Sequence, residues 1–150
     1  MFVLVYKTNP DAGGIDAFPA TDLANFGKNG GRIVDVMRQG GVVDPGFQFY
    51  DPDPTTGVRR PVVDAAGVLR HLRELSPVTH VTPDDPPTIL IHGSADPAAP
   101  IQQSRSFFDQ LTAAKVPARL VVRDGMGHAW PGWEADSALV ADWFDVYLRH

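Results

Sequence analysis

The chain has 150 residues, with 13 Lys plus Arg against 18 Asp plus Glu, a formal net charge of −5, 43% hydrophobic and 21% charged residues. That length suits one domain with a core of its own, and the mixture is that of a globular chain rather than a disordered or collagen-like one. The acidic balance repels phosphate backbones and anionic lipid headgroups, which argues against nucleic-acid and membrane partners, and the lack of cysteine excludes disulfides, thiolate catalysis and Cys-ligated metals.

Phe2-Val3-Leu4-Val5-Tyr6 is apolar without polar alternation, the pattern of a strand buried on both faces, and so predicts a parallel sheet. It is far shorter than a signal-peptide core or a membrane span, so a soluble chain, cytoplasmic by default, is expected. Residues 9–62 carry Gly13-Gly14, Gly30-Gly31, Gly40-Gly41 and Asp51-Pro52-Asp53-Pro54. They predict a loop-rich excursion with one short helix near Gly31 to Met37.

Val63, Ala66, Leu69 and Leu72 recur at helical spacing and predict an amphipathic helix over Val63 to Leu75. Thr88-Ile89-Leu90-Ile91-His92 is a second apolar strand, stopped by Gly93. Pro100 opens a helix with Ile101, Phe108, Leu111 and Ala114 on one side, ending before Pro117. Arg119 to Arg123 is a third strand. From Glu134 to Arg149, Leu139, Trp143, Val146 and Tyr147 form the stripe of a sheet-packing helix. Strand, helix, strand, helix is the order of right-handed βαβ units, so the expected class is α/β: about three parallel strands with flanking helices, in one domain over 1–150.

In such a sheet, loops at the carboxyl ends of neighbouring strands converge on one crevice. His92-Gly93-Ser94-Ala95-Asp96-Pro97 follows the second strand and Gly125-Met126-Gly127-His128-Ala129-Trp130 the third, each with one titratable side chain just past a strand end. A carboxylate that fixes an imidazole's tautomer and stabilises its charged form is the chemistry of a catalytic acid and base. Singly, Asp96 reads as a helix-capping residue and His128 as a loop histidine. As a pair in this order they are the candidate catalytic residues.

The stretches Pro86 to Asp96, Pro100-Ile101-Gln102-Gln103-Ser104 and Gly127-His128-Ala129-Trp130-Pro131 are similar to the carboxylesterase and acetyl-esterase branch of α/β-hydrolases, near the dienelactone-hydrolase and prolyl-oligopeptidase-like groups. The match runs from about Glu74 to His150. It implies a partial α/β-hydrolase fold holding family strands 6 to 8, with Asp96 as triad acid and His128 as triad base. Pro19 to Gly27 also looks like the segment after the family's sixth strand, which would place the start of the chain just beyond the nucleophile elbow.

Family members carry G-x-S-x-G upstream of the acid, on a strained turn that exposes the serine and helps form the oxyanion hole. That motif is absent. The serines are Ser76, Ser94, Ser104, Ser106 and Ser137, and chain order leaves Ser76 and Ser94 as candidates, Ser94 the better of two poor ones. The resemblance therefore implies an esterase-related chain that is inactive alone, acting on a small ester once a second chain supplies the missing half. The alternative is a non-catalytic binding or assembly domain derived from a hydrolase. If Phe2 to Tyr6 is the sixth strand, its apolar edge predicts a homo-oligomer, most simply a two-fold dimer.

His71, His80, His92 and His150 sit in no spaced ligand motif, so no metal is expected. No G-x-G-x-x-G follows a strand and no P-loop occurs, so no nucleotide cofactor is expected either. Asp51 and Asp53, held apart by prolines, read as turn acids rather than a dyad. Trp130 and Trp133 are candidates for a substrate pocket beside His128 and equally for core.

Overall fold

The computed structural model describes residues 14–17, 21–27, 31–39, 48–128 and 130–148. Among them, three strands build one parallel sheet: β1 (Gly14–Ala17), then in chain order α1 (Ile33–Gln39), the short strands β2 (Tyr50–Pro52) and β3 (Arg59–Pro61), α2 (Ala65–Glu74), β4 (Thr88–Gly93), α3 (Gln102–Ala113), β5 (Ala118–Arg123) and α4 (Ser137–Leu148). The spatial order is β1-β4-β5, with β2 and β3 forming a separate antiparallel hairpin. β4 is central. Ile15 lies opposite Ile89 on one side, and Gly93 opposite Arg123 on the other.

Every residue of β4 is buried, as its unbroken apolar run requires. Successive strand residues point to opposite faces. On one face Leu90 packs with Leu111 and Val116, joined by Phe107 and Phe108 of α3; on the other Ile89 and Ile91 pack with Trp130, Val140 and Trp143. The sheet is thus covered by α3 on one face and α4 on the other. β5 is half-exposed along its length, and its Val122 is exposed.

The predicted helices form with small shifts of their ends. The residue before α2, Asp64, caps it: its carboxylate accepts from Gly67 N at 2.7 Å, satisfying an otherwise unpaired first-turn donor. That cap leaves Val63 outside the helix and exposed, while Leu72 carries the buried stripe. In α4, Trp143 packs into the core but Val146 is exposed, so the apolar stripe is narrower than its spacing suggested.

The larger differences lie in residues 9–62. The strand expected at Phe2 to Tyr6 falls outside the described residues, and the neighbour of β4 is Gly14–Ala17. Gly-Ile-Asp-Ala has no apolar run to announce a strand; its pairing comes from β4, more than seventy residues away in sequence. The reading of Phe2 to Tyr6 as the sixth strand thus lies outside the described residues, and among those described β1 is the strand that precedes the Pro19 to Gly27 segment. The same stretch, read as irregular apart from one helix, also contains the β2–β3 hairpin. Its turn is held by Asp53, whose carboxylate accepts from Thr55 N at 3.0 Å and Thr56 N at 2.9 Å. Asp51 pairs with Arg70 and lies 2.9 Å from His71 Nε2, pinning the hairpin to α2. Both aspartates serve structure, in an ion pair and a turn.

Candidate active site

The parallel register puts the carboxyl ends of β4 and β5 side by side, so the loops that follow them meet. Ser94 N donates to Arg123 O at 3.0 Å and Ala95 N to Met126 O at 2.9 Å, a continuation of the sheet ladder into the loops. Gly93 faces the second loop so closely that a side chain there would overlap the carbonyls of Met126 and Gly127. Gly125 turns the second loop with a φ of 69°, a conformation that costs a residue with a Cβ. This close approach delivers His128 to Asp96.

His128 Nδ1 donates to Asp96 Oδ2 at 2.8 Å. The Asp96 side chain has no exposed surface, while that of His128 is 39% exposed. The other carboxylate oxygen, Oδ1, accepts from Ala98 N at 2.8 Å and Ala99 N at 2.9 Å in the turn that leads to α3. Burial pushes the Asp96 carboxyl up, but the N–H of Ala99, His128 and the N–H of Ala98 outweigh it and hold it below the usual carboxylate range. Asp96 is therefore a buried carboxylate that stays charged, and the His128 ring is oriented by it.

A third titratable residue lies under this pair. His92, at 0% exposure, places Nδ1 2.6 Å from Ser104 Oγ and Nε2 2.8 Å from Ala99 O, with Nε2 also 3.3 Å from Asp96 Oδ2. Burial holds its pKa below the ordinary histidine value, against the opposing pull of the Ala99 carbonyl and the Asp96 charge.

Residues 58–111 match the BD-FAE family model, which takes in β3, α2, β4 and the Asp96 loop. Probable carboxylic ester hydrolase LipM of Mycobacterium tuberculosis is 50% identical over 38 residues, 25% of this chain and 9% of LipM. Esterase LipC of the same organism is 37% identical over 59 residues, 39% of this chain and 15% of LipC. Among solved structures, a truncated form of a carbohydrate esterase from gut microbiota aligns with a TM-score of 0.62 at 18% identity, over 91% of this chain and 43% of that one.

The chain has a partial α/β-hydrolase fold, shared with that carbohydrate esterase. It spans less than half the length of each of these three proteins.

Within that α/β-hydrolase framework the remaining candidates separate. Ser94 donates its hydroxyl hydrogen to Asp124 Oδ1 at 2.9 Å and accepts from Gly125 N at 2.8 Å, tying the two site loops together. Ser76 is fully buried, donates to Leu72 O at 2.6 Å and accepts from Leu23 N at 2.9 Å. Trp130, weighed equally as pocket and core, is a core residue at 7% exposure against Ile89 and Ile91. The ring packs on the Ile89 and Ile91 face of β4, and Gly132, two residues further on, has a φ of 83°. The Trp133 side chain lies outside the described residues. A cavity of about 280 Å³ opens between α1 and the hairpin, walled by Val34, Phe49, Val62 and Val68; neither Asp96 nor His128 lines it.

Three supports of the site carried no sequence signal of their own. His92 and Ser104 are one; their strand and helix positions predict which face each occupies, but the contact needs the packing of α3 on β4. Gln103 is another: fully buried, its Oε1 accepts from Thr21 N at 2.9 Å and Asp22 N at 2.7 Å, and its Nε2 donates to Asn25 O at 3.1 Å. It clasps the segment after β1 to the opening turn of α3. The Arg123–Asp136 ion pair is the third and anchors the chain beyond His128 to the end of β5. Among the described residues no group of three His, Asp or Glu is gathered as metal ligands are, and no helix is long and apolar enough to cross a membrane.

Proposed function

We propose that this chain supplies the acid and base of a carboxylic-ester hydrolase, Asp96 and His128, to a serine nucleophile that lies outside this sequence. The observation that carries the reading is the 2.8 Å hydrogen bond from His128 Nδ1 to the buried Asp96 carboxylate. With its hydrogen on Nδ1, a neutral imidazole offers Nε2 as the base. That nitrogen takes the proton of the attacking hydroxyl, Asp96 stabilises the imidazolium, and the same proton goes to the departing alcohol. The names of LipM and LipC support an ester as the bond cleaved.

The chain alone has no G-x-S-x-G turn and is inactive by itself. The complementary half, in a second polypeptide or upstream in the same one, brings the serine and completes the oxyanion hole. The test uses a fluorophosphonate that reacts with activated serines. The isolated chain remains unlabelled, whereas assembly with a segment bearing G-x-S-x-G gives one adduct on that serine, lost in His128→Ala. An adduct on Ser94 or Ser76 of the isolated chain overturns the proposal. Failure of the assembled protein to label at all leaves the fold as a binding or assembly module.

A further inference from the structure

We propose that His92 is a positioning residue of this site: a neutral imidazole with its hydrogen on Nε2, its tautomer set by Ser104, that braces the Asp96 carboxylate for His128. This rests on the acid and base reading of Asp96 and His128.

Alternation along β4 puts His92 on the same face as Leu90, toward α3, so the ring is enclosed between the strand end and Ser104 of that helix. Its two nitrogens have different neighbours. Nε2 is 2.8 Å from Ala99 O, and a carbonyl oxygen carries no hydrogen, so the hydrogen of that bond belongs to the ring. In a neutral ring Nδ1 then has the lone pair, and the Ser104 hydroxyl at 2.6 Å donates to it. The opposite tautomer would set the Nε2 lone pair against both the Ala99 carbonyl and Asp96 Oδ2, 3.3 Å away.

Ala99 closes the arrangement. Its N–H donates to Asp96 Oδ1 at 2.9 Å while its carbonyl accepts from His92, so the histidine holds the very peptide that holds the carboxylate. Oδ2 is thereby met by His128 on one side and the edge of the His92 ring on the other. Among the described residues the titratable groups facing Asp96 are His92 from β4 and His128 from the loop after β5; the turn into α3 presents only backbone N–H groups. Burial, which keeps His92 neutral, ensures that its role is to donate and orient rather than to carry charge.

The test is nuclear magnetic resonance on the full chain, with two-bond ¹⁵N correlations for the histidines and ¹³C carboxylate shifts for Asp96. His92 is expected as the neutral Nε2–H tautomer near neutral pH. His92→Phe, which removes the donor, raises the pH at which Asp96 protonates by about one unit. His92→Gln restores an N–H and brings that pH back toward the parent value. Ser104→Ala shifts the ring toward the other tautomer and Ser104→Thr does not, which keeps the test open should His92→Phe fail to fold. A protonated or Nδ1–H ring in the parent chain overturns the proposal, as does an Asp96 titration unchanged in His92→Phe and Ser104→Ala. Because none of these readouts needs ester hydrolysis, they fail or succeed separately from the hydrolase reading, which fluorophosphonate labelling decides.

Discussion

A Cβ on Gly93 would come within 2.3 Å of the Met126 carbonyl oxygen and 2.6 Å of that of Gly127. Both obstacles are backbone, in a loop whose position is fixed by the hydrogen bond from Ala95 N to Met126 O. Gly93→Ala therefore cannot be absorbed by a side-chain rotation. It is expected to cost about 2–3 kcal/mol in urea unfolding and to displace His128, abolishing the downfield signal of its Nδ1 hydrogen. A variant with the parent's midpoint and an intact signal would show that the two loops are held apart by other means.

Trp130→Ala removes a buried tryptophan from the core between β4 and α4. The loss expected is about 3–5 kcal/mol, with Trp130→Phe costing clearly less because the neighbours Val140 and Trp143 keep a ring to pack on. Thermal or urea unfolding of the two variants checks this. Near-parent stability of the alanine variant would return Trp130 to the pocket reading.

Acid should weaken the fold through two groups that act in the same direction. Asp96 titrates below its ordinary value of 3.8 in the folded chain, so its contribution is present above that value and is lost as pH falls through the folded pKa. His92, buried and neutral, titrates below its ordinary 6.5, so the unfolded chain takes up a proton first and stability declines as pH drops from 6.5 toward the folded value. His92→Gln is expected to flatten the stability curve just below 6.5 and leave the more acidic limb, which belongs to Asp96, in place. An unchanged slope below 6.5 would mean that His92 is charged in the folded state.

Hydrolysis of a short p-nitrophenyl ester by the isolated chain is expected to be no faster than by His128→Ala. Ser94→Ala should leave that background rate unchanged and lower stability by about 1 kcal/mol, from the lost tie between the site loops. A rate abolished by both substitutions would make Ser94 a nucleophile after all.

Self-association is the remaining expectation. A sheet of β1-β4-β5 is small for the two helices that cover it, and its β5 side has an exposed Val122. Sedimentation velocity at micromolar concentration is expected to show a homo-oligomer, and a stable monomer would refute that expectation.

What the sequence determined by itself was whatever rests on short-range pattern. The unbroken run Thr88 to His92 marked the central strand, the helical spacing of Leu111 and its neighbours marked α3, and the glycine-bounded loops placed Asp96 and His128 at matching strand ends. These signals are local because strand burial and helix amphipathicity repeat within a few residues. Tertiary structure alone decided the rest. β1 is a strand because β4 pairs with it, not because Gly-Ile-Asp-Ala favours one. Trp130 is core because it packs on Ile89 and Ile91 of β4, and a pocket-lining tryptophan would have the same sequence neighbours. Gln103 and His92 are polar residues at buried positions, tolerable only because Thr21, Asp22, Ser104 and Ala99 satisfy them. Partners such as Gln103 and Thr21 lie 82 residues apart. Their hydrogen bonds form only after the sheet and α3 have packed, so no periodicity in the chain encodes them.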